Sequence, residues 1–199
     1  MLHVPRGTGW IEVICGPMFS GKTEELIRRL KRARIARQRV QVFKARIDDR
    51  YAVDKIVSHS AQVLDSAVVD SAGELLAAIH AETEVVGIDE IQFLTGDVVG
   101  AVQRLADSGR RVVIAGLDQD YTGKPFEPVP QLLAIAEEIT KVLAICVVCG
   151  RPAGRSQRTV QDDHRVRVGA AGAYEARCRA CHLPNPVEQL RIPGLEESN

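Results

Sequence analysis

Short apolar runs alternate with longer amphipathic stretches through the first two thirds of the chain. The apolar runs are rich in β-branched residues and predict strands at 11–15, 40–44, 85–88, 111–115 and 140–145. The intervening stretches predict helices at 22–38, 72–81, 96–108 and 132–137, whereas the polar segment 47–60 predicts a loop. This alternation predicts an α/β fold with a mostly parallel sheet and helices on both faces.

The pattern changes after residue 145. Gly, Arg and Pro become frequent, the apolar periodicity fades, and only short strands fit the remaining sequence. We therefore expect an α/β nucleotide-binding domain at 1–145, a small metal-binding module at 146–192 and a frayed polar tail at 193–199.

The first predicted strand and helix are joined by a loop that reads Gly16-Pro17-Met18-Phe19-Ser20-Gly21-Lys22-Thr23. It matches the phosphate-binding pattern G-x-x-x-x-G-K-[ST] in the strand-to-helix context which that pattern requires. Backbone N–H groups in such a loop hold phosphate oxygens, and they are supported by the helix N-terminus. Lys22 is then expected to reach the β- and γ-phosphates, with the Thr23 hydroxyl on Mg²⁺. The loop predicts a site for a nucleoside triphosphate.

Two carboxylates, Asp89 and Glu90, directly follow the predicted strand at 85–88. A parallel sheet places Asp89 beside the phosphate loop, where it can hold Mg²⁺ directly or through water. Strand alternation turns Glu90 to the opposite side, free to act as a general base on water or on a substrate hydroxyl. Arg50 and Lys124 are candidates for additional positive charge around the phosphates.

Four of the five cysteines form two C-x-x-C pairs, Cys146 with Cys149 and Cys178 with Cys181. Paired knuckles of this kind predict a tetrahedral Zn²⁺ site in an intracellular chain. Four thiolates close the coordination sphere, so the metal is expected to be structural. His182, directly after Cys181, is an alternative ligand. The fifth cysteine, Cys15, is expected to be a core residue.

The overall charge is balanced, since Lys and Arg total 26 and Asp and Glu also total 26. The net charge therefore gives no reason to expect binding to nucleic acid or to an anionic membrane. The basic stretch at 28–39 is expected to be a solvated helix face, and a polyanion-binding patch or a subunit contact is the alternative. No apolar stretch approaches the length of a membrane span, and nothing resembles a signal peptide. We expect a cytoplasmic protein.

Aromatic residues are scarce, at 4% of the chain, yet Phe93, Tyr121 and Phe126 all lie near predicted strand ends. Aromatic walls suit a flat base held by stacking. Ordinary packing of these three side chains is the alternative.

Taken together, these segments resemble the type II thymidine kinases of bacteria and the vertebrate cytosol, and the likeness covers nearly the whole chain. The segments that carry it are the phosphate loop, Asp48-Asp49-Arg50-Tyr51, Asp89-Glu90-Ile91-Gln92-Phe93, Gly116-Leu117-Asp118, Lys124-Pro125-Phe126 and Tyr174-Glu175-Ala176-Arg177-Cys178-Arg179-Ala180-Cys181-His182. Met-Phe-Ser within the phosphate loop, followed by Asp-Glu-x-Gln-Phe, is much narrower than a general phosphate-loop pattern.

The resemblance implies a RecA-like P-loop fold with a zinc-ribbon-like module that carries a lid, and transfer of the ATP γ-phosphate to the 5′-hydroxyl of thymidine. It implies Glu90 as the catalytic base. The residues implied for ATP and Mg²⁺ are Gly16, Pro17, Met18, Phe19, Ser20, Gly21, Lys22, Thr23, Asp48, Asp49, Arg50, Asp89 and Gln92. Those implied for thymidine are Met18, Phe93, Leu117, Tyr121, Phe126, Ser156, Arg165, Val166, Arg167, Val168, Gly169 and Tyr174.

The same resemblance implies a homotetramer that works in nucleotide salvage and is inhibited by thymidine triphosphate (dTTP). Three positions depart from the family pattern. Tyr121 stands where Phe is common, Ala170 where Gly is usual, and Gly172 where an acidic residue is usual. We expect the last two to affect the lid.

One rival interpretation is a RecA-like zinc-ribbon ATPase that acts on nucleic acid through its basic helix. It shares the phosphate loop and the two carboxylates but gives no reason for the aromatic residues. An inactive nucleotide-binding scaffold is a third interpretation, and the intact Lys22, Thr23, Asp89 and Glu90 oppose it.

Overall fold

The computed structural model describes residues 8–46, 55–57, 63–160 and 173–183. Its strands are β1 Trp10–Cys15, β2 Val40–Ala45, β3 Lys55–Val57, β4 Val63–Asp65, β5 Ala67–Val69, β6 Val85–Asp89, β7 Arg111–Gly116, β8 Glu138–Lys141, β9 Ala144–Ile145, β10 Pro152–Ala153, β11 Arg155–Arg158 and β12 Tyr174–Arg177. Its α-helices are α1 Lys22–Ile35, α2 Ala72–Ala77, α3 Val98–Asp107 and α4 Val129–Ile135, and a short 3-10 helix spans Ile91–Phe93.

The central sheet has six strands in the order β5-β2-β6-β7-β1-β8, and all its pairings are parallel. Strand β7 separates β1 from β6, so the ends of β1 and β6 lie about 9–10 Å apart, which is two strand spacings. Because parallel strands end at one edge, the segments that follow β1, β6 and β7 meet there, where ligands bind in such sheets. The predicted mostly parallel α/β sheet is confirmed.

Helices cover both faces of the sheet because successive side chains of each strand point to opposite sides. In β1, Ile14 belongs to a buried cluster with Leu26, Ile27 and Leu30 of α1. Its neighbour Val13 belongs to a second cluster, on the other face, which includes side chains of α2, α3 and α4. Burial of these apolar faces is what holds the helices against the sheet.

A buried ionic network fixes α1 to the sheet. The Glu12 carboxylate in β1 is 1% exposed and accepts hydrogen bonds from Arg29 of α1 and Arg111 of β7. Burial by itself raises the pKa of Glu12, but the two guanidinium groups hold it below its usual value. Arg29 also donates to the Thr140 hydroxyl in β8. The helix that begins with Lys22 is therefore tied directly to β1 and β8, and through Glu12 to β7.

The strands predicted at 11–15, 40–44, 85–88 and 111–115 agree with β1, β2, β6 and β7 to within one residue at each end. The loop prediction for 47–60 was wrong for Lys55–Val57, which form β3 and pair antiparallel with β4. Neither this hairpin nor the edge strand β5 was predicted. Three-residue strands are too short to show a periodicity that separates them from loops.

The single strand predicted at 140–145 was also wrong. The chain forms β8 up to Lys141, beside β1, and then β9 at Ala144–Ile145, which pairs antiparallel with β10 outside the central sheet. The backbone N–H of Val142, between the two strands, donates to the Cys15 carbonyl. A continuous apolar run does not indicate which sheet each of its parts joins.

Helix α1 ends before the predicted residue 38. Arg37 adopts a left-handed φ of 59°, its N–H donates to the Arg34 carbonyl, and the N–H of Gln38 donates to the Ala33 carbonyl. This is a Schellman end with arginine in the place that glycine usually takes. The absence of glycine at this position explains why the sequence did not reveal the helix end.

Beyond Val142 the described chain forms two short antiparallel pairs, β9 with β10 and β11 with β12. A small buried cluster joins them, formed by Ala144, Cys146, Ala153, Ala176 and Cys178. Among the described residues, no helix is long and apolar enough to cross a membrane.

Candidate active site

The phosphate-loop sequence lies between β1 and α1, at the carboxyl edge of the sheet. Phe19 and Gly21 have positive φ values of 64° and 85°, and turns of this kind direct successive backbone N–H groups into one anion-binding concavity. Gly16 is required by space, because a Cβ there would lie 2.2 Å from the Val142 carbonyl oxygen. The backbone is thus suited to hold phosphate oxygens.

Lys22, the first residue of α1, carries the positive charge of this loop. It is buried, and its ammonium donates to the Pro17 carbonyl at 2.7 Å. Burial lowers the pKa of Lys22, while the negative charges of Glu90, Asp89 and Asp118 act in the opposite direction. The lysine therefore lies close to carboxylates at the carboxyl end of β6 and just after β7.

Asp89, the last residue of β6, faces the phosphate loop as predicted. Its Oδ2 atom accepts a hydrogen bond from the Thr23 hydroxyl at 3.1 Å. Burial, with the nearby charge of Glu90, raises the pKa of Asp89 to about 7. A buried carboxylate beside a hydroxyl is a donor set that suits Mg²⁺, and a bound cation would keep the carboxylate ionised.

Glu90 does not continue the strand. It adopts a left-handed φ of 54° directly before the 3-10 helix, so the strand alternation that places it on the side opposite Asp89 does not apply. The negative charge of Glu90 remains close enough to Lys22 to oppose the lowering of the pKa of that lysine by burial. Both acidic side chains therefore act on the same part of the site.

Gln92 fixes the orientation of Glu90. Its amide nitrogen donates to Oε2 of Glu90 at 2.5 Å, and its amide oxygen accepts the N–H of Leu117 at 3.0 Å. The two bonds join the end of β6 to the end of β7. Gln92 is buried, so both of its polar atoms are held in one arrangement.

Gly116, at the end of β7, leaves the space that Gln92 occupies. A Cβ at this position would lie 2.7 Å from Cγ2 of Ile91 and 2.8 Å from the Gln92 amide oxygen. We expect Gly116→Ala to lower the free energy of unfolding by about 1–3 kcal/mol, the usual cost of an overpacked core. Urea denaturation measures the change.

Gly73→Ala is the matched control for Gly116→Ala. Gly73 lies in α2, and its nearest neighbour for a new Cβ is the Ser71 hydroxyl at 3.8 Å. Alanine there should raise the free energy of unfolding by about 0.5–1 kcal/mol, because glycine is a poor helix former. Equal effects at the two positions would contradict the steric argument for Gly116.

The segment that follows β7, residues 117–126, is called the β7 loop below. Its last residue, Phe126, is buried, and its N–H donates to the Asp118 carbonyl. The Phe126 ring meets Phe93 edge to face, with centroids 5.7 Å apart. Two of the three predicted aromatic residues are therefore in contact, and they follow β6 and β7.

Asp120 gives the β7 loop its shape. Its carboxylate is buried and accepts hydrogen bonds from the backbone N–H groups of Thr122 and Lys124. Its own N–H donates to the Lys124 carbonyl. Lys124, a candidate for supporting charge, has an exposed side chain at the turn of this loop.

Tyr121, the third predicted aromatic residue, is covered by a cation. The guanidinium carbon of Arg158 lies 3.7 Å from the centre of its ring, a favourable cation–π distance. The same arginine donates to the Tyr174 hydroxyl at 3.0 Å. Arg158 therefore joins the β7 loop to β11 and β12.

Ser156 in β11 contacts the phosphate loop. Its hydroxyl accepts the backbone N–H of Met18 at 2.9 Å, and the serine is buried. A residue that the resemblance assigned to thymidine thus lies directly against the loop assigned to ATP.

The four paired cysteines come together as predicted. Their Sγ atoms, from Cys146, Cys149, Cys178 and Cys181, all lie within 4.8 Å of one another. Backbone N–H bonds lower the pKa of Cys178, which favours the thiolate that binds metal. Four sulfur atoms in one compact group fit tetrahedral Zn²⁺, so this cluster can hold zinc.

His182 has a different partner. Its Nε2 atom lies 2.8 Å from the Tyr121 carbonyl oxygen, and its ring is buried. A carbonyl only accepts, so Nε2 carries the proton. The fifth cysteine, Cys15, is buried in β1, and burial raises its pKa to about 11, as expected for an unreactive core thiol.

Several predicted site residues lie outside the described ranges: Asp48, Asp49, Arg50 and the lid residues Arg165, Val166, Arg167, Val168 and Gly169. The structure adds Asp118, which is buried and paired with Lys141 at the end of β8. Sequence reasoning did not assign Asp118 a role, although it follows a buried strand as Asp89 does.

Comparison with known proteins agrees with the geometry of the site. A family model described as thymidine kinase matches residues 9–182. A protein named thymidine kinase, from Rhodothermus sp. (strain ITI 518), is 57% identical over 189 residues, which are 94% of this chain and 88% of that protein.

Proposed function

This chain belongs to the thymidine kinase family, and we propose that it transfers the γ-phosphate of ATP to the 5′-hydroxyl of thymidine. The products are thymidine monophosphate and ADP. The observation that carries the proposal is the meeting of three groups at one sheet edge: the phosphate loop after β1, the Asp89–Glu90 pair after β6, and the β7 loop with Phe126. The site can therefore place the phosphate donor ATP, a general base and the acceptor nucleoside next to one another.

ATP is assigned to the phosphate loop. Backbone N–H groups of residues 16–23 bind its phosphate oxygens, and Lys22 is the charge nearest to the transferred group. Mg²⁺, when bound by Thr23 and Asp89, neutralises charge on the phosphates. The proposed set further includes Gln92 and, from the family resemblance, Asp48, Asp49 and Arg50.

Glu90 is the proposed general base. Its carboxylate accepts the proton of the thymidine 5′-hydroxyl as that oxygen attacks the γ-phosphorus, while ADP leaves on the opposite side. The hydrogen bond from Gln92 supports this role, because it fixes one carboxylate oxygen and leaves the other to receive the proton.

Thymine is assigned to the aromatic side of the site. Phe93 and Phe126 supply apolar walls, and the remaining proposed contacts are Met18, Leu117, Tyr121, Ser156 and Tyr174. Their support is the packing of Phe93 on Phe126 and the contact of Ser156 with the phosphate loop. The family resemblance adds residues 165–169 as the cover of the base.

We assign structural Zn²⁺ to the cysteine cluster, in a module that starts at residue 146 and extends to residue 192, after an α/β domain at 1–145. The sulfur donor set supports zinc over harder cations. Such a metal would order a segment whose buried cluster is small.

From the family resemblance we further propose a homotetramer, inhibition by dTTP, a place in nucleotide salvage and a cytoplasmic location. Nucleic acid and membranes are not proposed as partners, since the chain has equal numbers of acidic and basic residues.

An ADP-release assay tests the proposal. With Mg-ATP alone, we expect slow release of ADP; added thymidine should accelerate it and yield one thymidine monophosphate per ADP. The physical reason is that Glu90 requires a sugar hydroxyl in line with the γ-phosphate. Product analysis by chromatography measures both nucleotides.

Single-stranded DNA in place of thymidine is the control for that assay. Stimulation of ADP release by DNA, without any effect of thymidine, would replace the kinase with a nucleic-acid-dependent ATPase. Formation of ADP without thymidine monophosphate would also contradict phosphoryl transfer to the nucleoside.

A further inference from the structure

His182 lies between the cysteine cluster and the β7 loop. Its backbone N–H donates to the Cys178 carbonyl at 3.0 Å, which makes it part of the second cysteine knuckle. Its side chain leaves the knuckle and reaches the Tyr121 carbonyl, 61 positions away along the chain. One residue therefore contacts the metal-binding segment through its backbone and the β7 loop through its ring.

The neighbours of His182 hold it in this position. Gln157 donates to the Leu183 carbonyl at 2.9 Å and accepts the Leu183 N–H at 2.7 Å. The pair of bonds ties the residue after His182 to β11. The histidine ring is thus carried by a segment anchored on both sides, by Cys178 before it and by Gln157 after it.

The connection continues to the phosphate loop. Ser156 directly precedes Gln157 in β11, and the Ser156 hydroxyl accepts the Met18 N–H. Because Gln157 holds the residue next to His182, the connection runs from the phosphate loop, across β11, to His182 and the β7 loop. The ends of β1 and β7 are joined here by residues that belong to neither strand.

We propose that His182 is a positioning residue that transmits the order of the cysteine cluster to the β7 loop and thereby sets the thymidine site. The hydrogen bond to the Tyr121 carbonyl holds the middle of that loop, while Phe126 at its end walls the base. Metal in the cluster then acts on the nucleoside side of the reaction at a distance, without contact with either substrate. The inference rests on the proposed function only where thymidine is measured.

The expected effect is selective because the two substrates depend on different segments. ATP is held by the phosphate loop, which has its own bonds from Lys22 and Ser20 to the Pro17 carbonyl. Asp120 shapes the β7 loop from within. From outside, the loop is held by Gln92, Lys141 and Arg158 as well as by His182, and among these four only His182 belongs to the cysteine knuckle. Loss of the His182 bond should therefore raise KM for thymidine more than KM for ATP.

The test compares His182→Phe with His182→Gln. Phenylalanine keeps a ring but has no donor, whereas glutamine places an amide N–H near the position of Nε2. For His182→Phe we expect KM for thymidine to rise about three- to tenfold, the loss of one hydrogen bond, with KM for ATP within twofold of its original value. His182→Gln should restore most of the thymidine KM.

Zinc content and a surface histidine serve as controls. Both variants should retain the same zinc per chain as the unmodified protein by elemental analysis. His80, whose side chain is 67% exposed, gives the control His80→Phe, which should change neither KM. Zinc loss in His182→Phe, equal shifts in both KM values, or no rescue by glutamine would overturn the proposal.

Amide hydrogen exchange on the unmodified protein tests the connection without catalysis. Removal of metal by a chelator should speed exchange in residues 117–126 while β1 and β6 stay protected. Unchanged exchange in that loop would overturn the inference even if the protein phosphorylates thymidine. Conversely, faster exchange in a protein that lacks kinase activity would overturn only the proposed function.

Discussion

Glu90→Gln should lower kcat by about 10²–10⁴-fold, the range expected for loss of a general base. Glutamine has the size of glutamate, and its carbonyl oxygen can still accept the hydrogen bond from Gln92, so the fold of the site is preserved. It cannot accept the proton of the 5′-hydroxyl. Steady-state formation of thymidine monophosphate at saturating substrate measures kcat.

ATP affinity separates this chemical effect from a binding defect. Calorimetric titration should give nearly the same Kd for Mg-ATP in Glu90→Gln and in the unmodified protein, because the phosphate loop is unaltered. Glu82→Gln is the matched control: Glu82 is exposed and precedes β6, so it lies at the strand end opposite Glu90. Near-normal turnover in Glu90→Gln would remove Glu90 from the role of base.

Cys178→Ser should abolish stoichiometric zinc binding. A serine hydroxyl remains protonated and is a poor substitute for a thiolate, and structural zinc contributes on the order of 10 kcal/mol to the folding of small metal modules. We expect the metal-binding module to lose order, and KM for thymidine to rise more than KM for ATP. Elemental analysis measures zinc, and initial rates give both KM values.

Cys15→Ala controls for the loss of one thiol. Cys15 is buried in β1 and lies outside the four-sulfur group, so this variant should keep its zinc. A Cys178→Ser protein with unchanged zinc content would contradict the assignment of the cluster. A Cys15→Ala protein without zinc would show that thiol number, rather than position, governs the metal content.

Much of the site could be predicted because its parts are continuous in the sequence. The phosphate loop is eight successive residues between a strand and a helix, and the cysteine knuckles have fixed internal spacing. A general property of parallel sheets placed Asp89 beside the phosphate loop, and the hydrogen bond from Thr23 of that loop to Asp89 agrees. Local pattern and sheet geometry were sufficient for these residues.

The orientation of Glu90 could not be predicted in the same way. Alternation along β6 applies only while the strand continues, and the chain leaves the strand at Asp89. A left-handed residue is usually glycine, asparagine or aspartate, so glutamate gives no signal for this turn. The hydrogen bonds of Gln92 and the space left by Gly116 depend on that turn, so they could not be predicted either.

Contacts between segments far apart in the chain could not be predicted from the sequence for another reason. The bond between Met18 and Ser156 joins residues 138 positions apart, and the bond from His182 to Tyr121 ends on a backbone carbonyl. Every residue has a backbone carbonyl, so the residue type at position 121 does not indicate that its carbonyl accepts a hydrogen bond. The sequence indicated His182 only as an alternative metal ligand.

The left-handed backbone at Glu90 affects how the thermal stability of this protein can be increased. A glutamate in that conformation costs roughly 1–2 kcal/mol relative to glycine. Glycine or asparagine at this position is therefore expected to raise the melting temperature and, under the proposed role of Glu90 as the base, to lower kcat. Under that proposal, stability and turnover oppose each other at residue 90, and stabilising substitutions are better placed at the far end of β6.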